Sequence, residues 1–165
     1  MPDAHYRERL DAYLSLHWPE VHIKDFLGDG TDGAVWSTES DTAIKVFSTW
    51  RGYENERFTY QELKKWGITQ KIAGFWIPEM HGFDDELMIV EMDVMHRAPY
   101  IIDFAKVKFS EPDYSPETRR DNEERGRERF EENWPEVQRL MSALASYQIF
   151  YEDPTPYNIV FPDPT

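Results

Sequence analysis

Gly28, Gly30 and Gly33 spell G-x-G-x-x-G, and Lys45 follows twelve residues after the last of them. Glycine admits positive φ and lets a backbone come close to a ligand. Amides left free in such a loop can face phosphate oxygens. In the strand-like run Thr42 to Phe47 side chains alternate, so Ala43, Lys45 and Phe47 share one face. An ammonium flanked by Ala43 and Phe47 needs a partner if it is buried. The helical segment after Tyr53 supplies one. Glu56, Tyr60 and Leu63 fall on a single face, whereas Glu54 and Glu62 point elsewhere. A Lys45–Glu56 pair would settle both charges and aim the lysine at phosphates beside the glycines. Two plainer readings fit the same residues: a hairpin tip with incidental glycines, and a lysine that snorkels to water at a sheet edge.

Elements must position these groups. Tyr6, Leu10, Tyr13, Leu14 and Trp18 lie at helical spacing, and Pro19 ends that segment. From Val21 to Phe47 the texture is short β-like runs, with a tight turn at Glu39-Ser40-Asp41. Tyr53 to Trp66 reads as a helix, with Lys64 and Lys65 in its last turn and Gly67 as its stop. "IPEMHGFDDELMIVEM" reads as two strands around an Asp84-Asp85 turn. Residues 111–132, dense in Glu and Arg, read as a solvated helix or linker. Asn133 reads as the N-cap of a helix whose apolar stripe is Val137, Leu140, Met141, Leu144 and Tyr147. The chain closes in a loop and a short strand. The pattern is α+β, with one lobe over residues 1–93 and a second, mainly helical, over 94–165.

The 165 residues suffice for a sizeable core, and their net charge is −14. That excess of acid argues against nucleic acid or an anionic membrane as the main partner, but not against a polyanion held in one pocket. There is no cysteine, which removes thiolate zinc sites and thiol nucleophiles and suits a reducing cytoplasm. No apolar leader or membrane-length run is evident. The histidines form no helical i, i+4 pair for zinc, and no carboxylates are placed as the opposed pair of a glycosidase.

A lone G-x-G-x-x-G is shared with dinucleotide folds, where the third glycine opens a helix. Here it opens a hairpin, which is the protein-kinase arrangement. The chain resembles the protein kinase-like superfamily, which includes protein kinases and small-molecule phosphotransferases. "GDGTDGAV", "AIK", Glu56, "MIVEMD" and "DPTPYN" carry the resemblance, in the family's order. It implies an antiparallel sheet with helix C in the first lobe and a shortened helical second lobe, binding ATP and Mg²⁺. Val35 and Ala43 would sandwich the adenine, and Glu91 and Asp93 would offer hinge backbone groups. Asp153 would match the catalytic aspartate, and Asn158 a magnesium ligand.

The departures define the expected activity. Tyr151-Glu152-Asp153 stands where the family has His-Arg-Asp or His-Gly-Asp, and Thr155 stands where many members carry a lysine. The Asp-Phe-Gly that should follow Asn158, whose aspartate holds the principal Mg²⁺, is not found there. The expectation is therefore a nucleotide-binding domain of phosphotransferase lineage, weak or inactive alone. The alternatives are a pseudokinase-like interaction module and a truncated form of a longer kinase. In the interaction reading, the helix from Pro135 to Phe150 exposes apolar surface that a partner or a second copy covers.

Overall fold

The computed structural model describes residues 3–164. Helix α1 (Ala4–His17) starts at Asp3, whose carboxylate accepts the His5 N–H, and stops before Pro19. Strands β1 (Ile23–Gly30), β2 (Gly33–Thr38) and β3 (Thr42–Phe47) form an antiparallel meander. Helix α2 (Trp50–Lys65) begins three residues earlier than its apolar spacing indicates, because Thr49 caps the Gly52 N–H. Two short strands, β4 (Lys71–Ile72) and β5 (Phe75–Trp76), precede the hairpin β6 (Met80–Asp84) and β7 (Ile89–Asp93). Then come β8 (Tyr100–Ile101), α3 (Pro116–Phe130), a 3₁₀ turn at Glu131–Asn133, α4 (Trp134–Ala145) and β9 (Ile159–Val160). The fold is α+β. Its main sheet has the order β1-β2-β3-β7-β6, all antiparallel, and a small second sheet has the order β4-β5-β8-β9. Among the described residues no helix is long and apolar enough to cross a membrane.

Strand alternation divides the sheet's load between two faces. Ala34, Trp36, Ile44, Val46 and Ile89 pack on Leu10, Tyr13 and Leu14 of α1. Ala43, Phe47, Val90 and Met92 face the other way, onto Tyr53, Tyr60 and Leu63 of α2. That second core continues without a break into Phe104, Val107, Val137, Leu140, Leu144 and Ile159. Asp93 therefore marks a change of topology, while the two segments share one core. Three residues fasten α1 to its face. The Arg9 guanidinium donates to the Leu87 and Phe47 carbonyls. The buried Glu91 carboxylate accepts from Tyr13 Oη at 2.9 Å, Trp18 Nε1 at 2.8 Å and Thr42 Oγ1 at 2.8 Å. Three donors satisfy a buried carboxylate that would otherwise destabilise the fold.

The helical half differs from its sequence reading in three ways. Residues 111–132 contain a true helix, α3, capped by Ser115 onto the Thr118 N–H. Asn133 makes no capping bond, because the chain reaches α4 through a 3₁₀ turn and is already helical there. The helix also ends at Ala145 instead of Phe150, and Gln148 turns the chain at φ 61°. The expected exposed stripe is corrected outright. Val137, Leu140 and Leu144 are fully buried, because the segment after β7 supplies Phe104 and Val107 to cover them. No uncovered apolar face of this helix remains to recruit a partner.

Helix α3 is polar, and only Gly126 and Phe130 of it are buried. Gly126 lies flat against the Trp134 indole, and a Cβ there would come within 2.3 Å of the ring. Glycine to alanine in an open helix is stabilising. Here the sign should reverse: Gly126→Ala is expected to destabilise by about 1–3 kcal/mol through overpacking. Urea unfolding checks this against Arg127→Ala, an exposed neighbour expected to stay within about 0.5 kcal/mol of the parent.

Candidate functional site

Lys45 sits mid-strand in β3, opposite Val35 of β2 and Val90 of β7. Its side chain points away from α1, toward α2. Lys45 Nζ lies 2.8 Å from Glu56 Oε2 and 3.3 Å from Asp103 Oδ1, and 4.7 Å from the Phe47 ring centroid. The Lys45 and Glu56 side chains are 9% and 1% exposed. Tyr60 Oη donates to the other Glu56 oxygen at 3.3 Å. Burial acts to lower the Lys45 pKa, but Glu56 and then Asp103 outweigh it and hold the ammonium above its ordinary value. Burial raises the Glu56 pKa, and Lys45 offsets this only in part. One cation thus faces two carboxylates, and the second of them is partly open to solvent.

Asp103 was not among the residues anticipated from sequence. It follows β8 at φ 70°, a left-handed conformation uncommon outside glycine, and its carboxylate accepts the Ala105 N–H. Strand β8 runs antiparallel to β9, and the Ile102 N–H donates to the Asn158 carbonyl at 2.9 Å. This ladder sets Asp103 beside Asn158. Phe104 then packs edge-on against Tyr60 of α2 (5.4 Å) and Tyr151 (5.9 Å). The Tyr151 hydroxyl donates to the Ile102 carbonyl. An aromatic column therefore ties α2, the Asp103 segment and the loop ahead of β9 into one unit. A cavity of about 160 Å³ opens among Asp103, Lys106, Asp153, Thr155 and Asn158.

The other anticipated residues fall as follows. Gly28, Gly30 and Gly33 line the β1–β2 hairpin, with Gly30 opposite Gly33. Gly33 has φ 142°, and a Cβ there would meet the Val46 carbonyl oxygen at 2.0 Å, so the close approach of β3 requires glycine. No neighbour lies within 4 Å of a Cβ built on Gly28 or Gly30. Val35 and Ala43 lie on the same sheet face as Lys45. Asp153, 61% exposed, is held by Arg129 at 2.7 Å. Arg129 also donates to the Pro154 carbonyl. Beyond Asp153 a second, larger cleft of about 360 Å³ runs between α3 and α4.

Glu91 and Asp93 differ from expectation. Glu91 lies inside β7 with strands on both sides, opposite Ile44 and Gly82, and its side chain serves α1. The Asp93 N–H donates to the Glu79 carbonyl at 3.0 Å. The ladder runs further along β7 than the sequence suggests, so these positions do not present the free backbone donors expected of them. No protein-family model matches this chain, and no curated protein matches it either.

Proposed function

We propose that this chain is a nucleotide-binding domain of protein kinase-like architecture, with the aspartate of its metal-binding end supplied from upstream of the catalytic loop. The observation that carries this reading is the cluster at Lys45. A buried strand lysine is paired to a helix carboxylate, and a second aspartate, followed by phenylalanine, stands 3.3 Å away. In the family, a strand ending in Asp-Phe-Gly follows the catalytic loop. Here Tyr100 to Ala105 precedes that loop in sequence and lies against it in space. The ground for expecting an inactive domain, a missing metal aspartate, is thereby removed.

The sheet order β1-β2-β3-β7-β6 and the Gly33 close approach support the same reading. Asp103 and Asn158 would hold Mg²⁺. Their oxygen donors suit it, and Lys45 leaves part of the Asp103 charge uncompensated toward the cavity. Bound there, the metal would neutralise phosphate charge. Lys45 orients phosphates, and Asp153, on the cavity's rim, receives the proton of an acceptor hydroxyl. A cytoplasmic setting fits the absence of cysteine.

Thermal unfolding with ATP and Mg²⁺ tests binding. At a hundredfold excess over Kd, the nucleotide should stabilise by about 2.7 kcal/mol, or roughly 5–10 °C for a domain of this size. No shift at millimolar ATP would refute the reading. A second reading, nucleotide binding without transfer, is favoured by the Arg129–Asp153 ion pair and by Thr155 in place of a lysine. Phosphate release separates the two.

A further inference from the structure

We propose that Lys106 is the cation for the terminal phosphate of the bound nucleotide, and that it makes the site select triphosphates over diphosphates. This rests on the nucleotide reading above. Lys106 is the one cationic side chain lining the 160 Å³ cavity, against Asp103, Glu152 and Asp153. Lys45 cannot fill that place, since it is buried between Glu56 and Asp103. Lys106 is differently held. Its Nζ lies 3.2 Å from Thr31 Oγ1 and 3.7 Å from Asp32 Oδ2, and its side chain is 68% exposed. Those contacts are weak and solvated, so a phosphate oxygen can replace them at little cost.

Position supports the assignment. Thr31 and Asp32 form the tip of the glycine hairpin. A base seated against Val35 and Ala43 would send its phosphates along the glycine strand toward that tip. Asp32 lies about 10 Å along the strand from Val35, at about 3.3 Å per residue, which is the scale of a triphosphate. Lys106 therefore meets the end of the chain, and Lys45 the earlier phosphates. Thr155 lines the same cavity, and its hydroxyl brings no charge. In a molecule of net charge −14, a terminal phosphate needs a local cation.

Calorimetric titration of ATP, ADP and AMP, each with Mg²⁺, tests this on the parent and on Lys106→Ala, Lys106→Arg and Asp32→Ala. The parent should favour ATP over ADP. Lys106→Ala should weaken ATP about tenfold or more while leaving ADP and AMP unchanged, which erases the preference. Lys106→Arg should keep most of it, and Asp32→Ala all of it. If Lys106→Ala weakens every nucleotide equally, the residue only fastens the hairpin and the proposal fails. It also fails if the ATP to ADP ratio does not change. Absence of nucleotide binding in the parent would overturn the underlying reading, before any variant is compared.

Discussion

Lys45→Met is expected to abolish ATP-dependent stabilisation and to lower the stability of the free protein by about 3–5 kcal/mol. The cost arises from what the lysine leaves behind. Glu56, 1% exposed, would keep only the Tyr60 hydroxyl as a partner. Asp103 is partly open to solvent and suffers less. The double variant Lys45→Met/Glu56→Leu removes both charges and should recover most of the stability, because well-packed apolar replacements of a buried pair are often neutral. Nucleotide binding should stay lost in both. Urea midpoints and ATP titrations read the two effects separately.

The pH dependence of the single variant carries a definite sign. Glu56 already has a folded pKa above its unfolded value, and loss of Lys45 raises it further. A carboxyl raised in the folded state contributes most when protonated. The stability gap between Lys45→Met and the parent should therefore narrow as pH falls from 7 toward about 4, the unfolded carboxyl range. A gap that is constant or widens across this range would show that Glu56 is not the stranded charge.

Asp103→Asn should remove the Mg²⁺-dependent part of nucleotide binding and lower any turnover roughly 10²–10³-fold. Its fold should be intact. Asparagine is among the residues that tolerate the φ of 70° seen here, and it can still accept the Ala105 N–H. Removing the second acid also relieves its repulsion of Glu56. The telling measurement is the ATP-induced melting shift with and without Mg²⁺: the increment due to the metal should vanish while the metal-free shift remains. Asp163→Asn, in the loop beyond β9, serves as a control. Equal Mg²⁺ increments in Asp103→Asn and the parent would remove Asp103 from the metal-binding end.

The Lys45–Glu56 pair was legible in the sequence because each half depends on a local period. Alternation in β3 turned Lys45 inward with Ala43 and Phe47, and the 3.6-residue repeat turned Glu56 inward with Tyr60 and Leu63. Asp103 was not legible by the same means. Its place depends on β8 meeting β9, a pairing between remote segments that no local period encodes. "IIDFA" did offer a signal, a β-branched run ending in Asp-Phe, but only to a reader who looked ahead of the catalytic loop as well as after it. Glu91 failed for a related reason: its three donors come from Tyr13, Trp18 and Thr42, two of them in the leading segment. The burial of Leu140 and Leu144 also depended on Phe104 and Val107, which lie in a stretch without clear periodicity.

The antiparallel seam between β8 and β9 also sets an order of events during synthesis. Asp103 leaves the ribosome before Asn158, so Lys45, Glu56 and Asp103 can come together while the opposite wall is still being translated. At about 5–20 residues per second the interval lasts seconds. A nascent chain at that stage has the lysine and its two acids but no finished cavity, so it becomes competent for ligand only when its last strand docks.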